Sequence, residues 1–234
     1  MSDNRPLQED HEKAHYNSLV ASINYEYSKK YGYDFIYYRP YLNDKNTISL
    51  NNCIDPNTKA LRHSAWSKLL STQLALNATY DYVVYTDSDC MFKDFSKSIE
   101  QFIQPYLSKD ILYLNNKPWG DDIPCSGFYI CKVSSTTKDF LKDWYSFDFK
   151  NRKNPFHWEQ GALFYLFKIK KYNIGIINHW MFKEYPGQFL RHISRVEEKL
   201  RIPYFKNFIS KNNINYSKNI QDIKCIDYNT AEIN

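Results

Sequence analysis

Residues 81–92, Asp-Tyr-Val-Val-Tyr-Thr-Asp-Ser-Asp-Cys-Met-Phe, run a short apolar stretch straight into two carboxylates, Asp87 and Asp89, with one serine between them. An apolar run of this length bounded by turn residues reads as a buried strand. In an open α/β sheet, ligands gather just beyond the carboxyl ends of strands. Two like charges so close repel, raising one proton affinity, unless a cation or a set of donors compensates them; a divalent metal is the natural compensator. Taken alone, the motif equally permits a solvated Asp-Ser-Asp turn that bonds its own backbone.

The rest of the chain narrows the class. At 234 residues it fits one domain with a real core. A hydrophobic content of 43% and an aromatic content of 18% exclude disordered and fibrous classes. The formal charge is +5, but the 31 basic and 26 acidic residues are interspersed. That balance suits a phosphorylated small molecule and lacks the basic stripe of a nucleic-acid binder; Lys-Ile-Lys-Lys-Tyr at 168–172 reads as a solvated helix end. The five cysteines show neither zinc spacing nor a paired secretory framework, so they read as free buried thiols. Residues 1–10 are polar, and no window reaches membrane-spanning length. The chain as written reads as cytoplasmic, or as lumenal in the Golgi or ER if an upstream anchor has been removed.

Periodicity predicts a helix over 11–30, with Ala14, Leu19, Ile23 and Tyr27 on one face and Gly32 as its stop, then a strand over 33–38 ended by Pro40. A second helix carries Trp66, Leu69, Leu70, Gln73, Leu74 and Asn77 on one face, with Trp66 read as core. Further strands are expected at 82–86, 111–114, 127–131 and 174–177, and helices at 136–146 and 156–169. Such alternation favours an α/β fold with a central, mainly parallel sheet covered by helices on both faces, and mixed pairing late in the chain. The organisation expected is a domain over 1–202, followed by a C-terminal appendage over 203–234 that wraps it or is partly disordered, because that stretch lacks strong periodicity.

Several pieces then line up in order: His-Ser-Ala-Trp-Ser-Lys at 63–68 opening a helix, Asp87 and Asp89 after a strand, Ser126-Gly127-Phe-Tyr-Ile, Trp158-Glu159-Gln160-Gly-Ala, and Arg191-His192 late. Together they resemble the GT-A nucleotide-sugar glycosyltransferases, a Rossmann-like fold, and most closely the galactosyl/xylosyl/mannosyl-transferase (GT34-like) type with its Trp-x-Lys helix and DxD motif. The resemblance covers roughly residues 25–202. It implies that Asp87 contacts the ribose or the metal, that Asp89 binds the metal, and that His192 completes the coordination. Mn²⁺ or Mg²⁺ suits such oxygen ligands, and one imidazole favours Mn²⁺. Lys68 would approach the nucleotide or its phosphates, its alternative being an ordinary surface lysine. Ser126 and Gly127 would line the sugar and acceptor side, and Glu159 and Gln160 would face the donor sugar. Arg191 and Arg195 would meet phosphate. His179 is the fallback metal ligand.

The implied activity is metal-dependent transfer of a hexose or pentose from a nucleotide diphosphate sugar, UDP-linked, to a hydroxyl of a glycan or glycoprotein, with retention. One departure stands out: nothing before His11 resembles the family's opening strand, whose end binds the base, and Tyr37 or Tyr38 are the candidates to stack there instead. An apolar strand before Asp-x-Asp also opens the haloacid-dehalogenase-like phosphotransferases, with Asp87 as nucleophile, Asp89 as acid/base and Asp121 and Asp122 as a metal pair. Too few residues separate Asp89 from Asp121 for that family's intervening strands, and Met91 stands where it prefers Thr or Val. A non-catalytic sugar-nucleotide or glycan-binding module is the other alternative, against which the retained carboxylate pair argues.

Overall fold

The computed structural model describes residues 1–40, 53–60, 62–115, 123–148, 158–177, 187–194 and 196–228. Helix α1 (Tyr16–Tyr31) buries Leu19, Val20, Ile23 and Tyr27 and ends at Gly32, which takes φ 71° and returns its N–H to Lys29. Only glycine enters that left-handed region without a Cβ clash. Strand β1 (Ile36–Pro40) follows, then a 3-10 turn (Ser64–Trp66) leading into α2 (Ser67–Leu76), with Trp66 1% exposed as expected of a core residue. Strand β2 (Tyr82–Thr86) and the short β3 (Cys90–Phe92) flank the two carboxylates. The chain continues through α3 (Glu100–Ile103), β4 (Ile111–Asn115), β5 (Pro124–Lys132), α4 (Ser135–Tyr145), α5 (Glu159–Lys168), β6 (Ile174–Ile177) and β7 (Leu190–His192). It closes with α6 (Glu198–Lys211), α7 (Tyr216–Asp222) and β8 (Lys224–Tyr228).

The central sheet has the order β2-β5-β4-β6. It is mixed, and the mainly parallel sheet expected from alternation needs correction: β5 runs antiparallel to both β2 and β4, and only β4 and β6 are parallel. The reason is connection length. A parallel pair needs a crossover of about a dozen residues or more, and the link between Asn115 and Pro124 is shorter than that. Helices cover both faces, which is why β4 is buried at every position. One face packs Trp66, Tyr113, Tyr129, Phe140 and Trp144 into a core with α2, α4 and α5. The other packs Tyr27, Phe92, Leu112, Phe128 and Phe189 against α1 and α3.

Residues 203–228 are helical or strand-paired and packed into the domain. The boundary placed there falls inside α6, and β8 pairs in parallel with β1, Tyr38 opposite Ile226. Phe205, Ile209, Ile214, Tyr216 and Ile220 build a third core with Leu19, Val20 and Ile23 of α1. Periodicity is weak there because short helices spread their apolar residues over contacts with α1 and with each other. Before His11, residues 1–3 lie along β1 in parallel: Ser2 bridges Tyr38, the Tyr38 N–H donates to the Met1 carbonyl, and the Asp3 N–H donates to the Tyr38 carbonyl. A cavity of about 450 Å³ lies between β1 and β2, walled by Phe35, Ile36, Tyr38, Tyr82 to Thr86, and residues of α1, α2 and α3. Asp87, Asp89 and His192 are not among its walls. Among the described residues, no helix is long and apolar enough to cross a membrane.

Candidate functional site

Two strand ends build the site. β2 delivers Thr86 to the sheet edge, where the Asp87 N–H donates to the Gly127 carbonyl at 2.8 Å, so the carboxylate leaves the sheet beside β5. The chain turns at Ser88 and re-enters as β3, which pairs antiparallel with β7 in the register Cys90 opposite His192. That register sets the imidazole beside Asp89, and the Ile193 N–H closes the junction on the Asp89 carbonyl at 2.9 Å. One ligating atom each from Asp87, Asp89 and His192 lies within 4.8 Å of the other two. His192 Nε2 stands 3.0 Å from Asp89 Oδ1 and 3.9 Å from Asp87 Oδ2.

Each carboxylate has its own countercharge. Asp89 Oδ2 meets the Arg201 guanidinium of α6 at 3.0 Å. Burial alone would raise the Asp89 proton affinity, but His192, Arg201 and Lys68 outweigh it and hold the carboxyl below its ordinary range. For His192 burial opposes the charged form, and Asp89 reverses this to push the imidazole well above its ordinary value. Asp87 is held by the Tyr85 hydroxyl and the Lys68 ammonium, both at 3.0 Å from Oδ1.

Lys68 is no surface lysine: it is 4% exposed, and its ammonium bridges Asp87 and Glu159, 3.0 Å from each. Burial disfavours its charge, yet the two carboxylates more than offset that and keep it protonated. Glu159, 4% exposed, opens α5. Its Oε1 takes Lys68 and the Ser126 hydroxyl at 3.0 Å, while buried Oε2 has no hydrogen-bond partner among the described residues. The Lys68 charge overrides burial and holds the Glu159 carboxyl below its usual value. Trp144 of α4 pins the start of α5 by donating Nε1–H to the Glu159 carbonyl at 2.7 Å. Gln160 clasps β5, accepting from Ser126 N–H at 2.7 Å and donating to the Pro124 carbonyl at 2.6 Å.

Gly127 earns its place by proximity: a Cβ there would lie 2.4 Å from Cε1 of His192. Six of the expected residues, Lys68, Asp87, Asp89, Ser126, Glu159 and His192, thus join one continuous polar network, with Gly127 and Gln160 against it. Arg191 does not join: successive strand residues point to opposite faces, and its guanidinium lies over Tyr204 of α6, 4.7 Å from the ring centre. Tyr37 is fully buried, accepting from Asn17 at 3.0 Å and donating to the Arg5 carbonyl, so it offers no ring to stack on, whereas Tyr38 packs edge-on against Tyr228 and walls the cavity between β1 and β2. His179, Arg195, Asp121 and Asp122 lie outside the described residues. Sequence reasoning missed Arg201 and Tyr85. Tyr85 sits two residues before Asp87 in a strand and was legible only as core, and Arg201 bears no spacing to the carboxylates it meets.

Comparison with known proteins gives the family and the fold. Residues 58–211 match the family model described as nucleotide-diphospho-sugar transferase, a span that includes β2, β3, β7 and α6. No curated protein sequence matches the chain. Among solved structures, the chain is similar to a glycosyltransferase involved in the glycosylation of the major capsid of PBCV-1, at 16% identity and a TM-score of 0.59 over 82% of this chain and 92% of that one. The mixed central sheet flanked by helices is the GT-A arrangement. With that match covering most of its length, the chain belongs to the nucleotide-diphospho-sugar transferase family.

Proposed function

We propose that this transferase moves a hexose or pentose from a UDP-linked sugar to a hydroxyl of a glycan or glycoprotein, in a divalent-metal-dependent reaction that retains anomeric configuration, as in the GT34-like type. The observation that carries the reading is the convergence of Asp87, Asp89 and His192 from two strand ends, their ligating atoms within 4.8 Å of one another. Carboxylate oxygens with one imidazole nitrogen fit Mn²⁺, with Mg²⁺ the second choice. When bound, such an ion supplies Lewis-acid compensation for the charge that grows on the departing diphosphate.

The chain's own residues do the rest. Arg201 and Tyr85 orient Asp89 and Asp87, each leaving the other oxygen turned toward His192. Glu159 faces the donor sugar in this reading. A general base works best with a proton affinity near the operating pH, whereas Lys68 holds Glu159 ionised. A fixed, buried carboxylate of that kind stabilises positive charge at the anomeric carbon instead of accepting a proton. Its buried Oε2, unpartnered among the described residues, is the acceptor left over at that position. Ser126 and Gly127 line the same wall, Gly127 by close backbone approach.

Isothermal titration of UDP with and without Mn²⁺, using wild type and Asp89→Ala, tests the metal dependence. Wild type is expected to gain affinity with Mn²⁺ and the variant to gain none. Equal binding in all four conditions removes the metal reading. Slow hydrolysis across a panel of nucleotide sugars then identifies the donor, and release of phosphate instead of sugar would restore the phosphotransferase alternative.

A further inference from the structure

Three tryptophans are described, and two are core: Trp66 is 1% exposed and Trp144 fully buried. Trp158 is 52% exposed. A single exposed apolar side chain is ordinary, but three observations separate this one. First, its indole is held in place: the His63 imidazole lies parallel to it, 4.8 Å between ring centres and 14° between planes. The imidazole is fixed in turn, because its Nδ1 accepts the Ala65 N–H at 3.2 Å. Second, both rings stand at the entrances of the two helical segments that carry the buried ion pair. His63 caps the 3-10 turn that runs into α2 and Lys68, and Trp158 is the N-cap of α5, directly before Glu159. Third, the neighbouring Glu159 keeps a buried oxygen without a partner among the described residues.

The polar network is linear: Arg201, Asp89, His192, Asp87, Lys68, Glu159. Trp158 adjoins its Glu159 end. In the proposed reading the diphosphate lies at the Asp87, Asp89 and His192 end and the donor sugar at Glu159, and Trp158 is the exposed residue directly before Glu159. We infer that the His63–Trp158 pair is the platform on which a pyranose ring of the acceptor stacks. This rests on the transferase reading and deepens it: the acceptor is a glycoside rather than a bare peptide hydroxyl or simple alcohol. A pyranose turns a face of C–H bonds toward the electron-rich face of an indole while its hydroxyls stay at the rim. There the neutral His63 tautomer, with Nδ1 already accepting, presents Nε2–H as a donor. A ring held in advance by a stacked neighbour loses little freedom on binding.

The test uses the full chain as wild type, Trp158→Ala, Trp158→Phe and His63→Ala. Probes are UDP with Mn²⁺ and the methyl α- and β-glycosides of glucose, galactose, mannose and xylose. Transfer to each glycoside is measured from the nucleotide sugar hydrolysed fastest, alongside saturation transfer from protein to glycoside ring protons. Trp158→Ala is expected to raise the glycoside KM about tenfold or more with a smaller change in kcat and no matching loss of UDP affinity, Trp158→Phe to recover most of it, and His63→Ala to fall between. An unchanged glycoside KM overturns the platform. A parallel loss of UDP affinity overturns it too, by assigning the indole to the nucleotide. Donor hydrolysis without transfer or saturation transfer to any glycoside overturns the acceptor class and leaves the transferase standing. Saturation transfer that Trp158→Ala abolishes, in a protein that hydrolyses no nucleotide sugar, supports the platform and sinks the proposed reaction instead.

Discussion

A Cβ added to Gly127 would lie 2.4 Å from Cε1 and 2.8 Å from Nδ1 of His192, closer than carbon atoms approach in folded proteins, so the glycine and the imidazole occupy one space between them. Gly127 does not carry a positive φ, so an alanine there is tolerated by the backbone and displaces the ring. In the proposed metal-dependent reading, Gly127→Ala is expected to weaken the gain in UDP affinity with Mn²⁺ by about 10- to 100-fold, the usual effect of disturbing a ligand's surroundings. Titration calorimetry reads that gain, and thermal melting checks that the variant is folded. A gain equal to wild type would show that the ring moves without consequence.

Lys68 neutralises two carboxylates at once, buried Glu159 and partly exposed Asp87. Lys68→Met strands Asp87 and Glu159 and is expected to destabilise the protein by about 3–5 kcal/mol, the range for removing one partner of a buried pair. Adding Glu159→Gln removes one stranded charge, so the double variant is expected to lose less than the sum of the two singles. Urea unfolding of the four proteins measures the coupling. Strict additivity would mean that the ammonium and Glu159 act independently.

Glu159 also makes a pH signature. Its folded proton affinity is depressed from the ordinary value of 4.5, so the unfolded chain binds a proton more readily. The stability it contributes is therefore complete above about pH 4.5 and lost as pH falls through the lower folded value. Unfolding free energies of wild type and Glu159→Gln, measured from pH 7 down to pH 3, are expected to converge in that acidic window. A difference independent of pH would assign the effect to packing.

Arg201 ties the C-terminal helices to the site. Its pair with Asp89 is largely shielded from solvent, the side chains 13% and 16% exposed, so Arg201→Met is expected to cost about 1–3 kcal/mol. Lys199→Met, two residues away on an exposed pair with Glu197, serves as the comparison that leaves stability unchanged. Equal unfolding midpoints for the two variants would contradict the coupling of α6 to Asp89.

Much of this molecule is legible in one dimension. The strands at 82–86 and 174–177 were expected with the bounds they have, because a short apolar run between turn residues has few other fates. The Asp87 and Asp89 pair was legible because two carboxylates at a strand end require compensation. Sheet direction and the last thirty or so residues were not, since pairing is chosen by connection lengths and partners rather than by local pattern.

What the string of residues left open is who meets whom. Lys68 and Arg201 look alike in sequence, two cations on helices, and nothing local turns either away from water. In the fold both are turned inward, Lys68 between Asp87 and Glu159 and Arg201 onto Asp89, because a buried carboxylate is tolerated only beside a positive charge. Local composition sets which chemistry is on hand; the β3–β7 register and the packing of α6 on α1 bring it to one point, since charge interactions depend on distance through space and not along the chain.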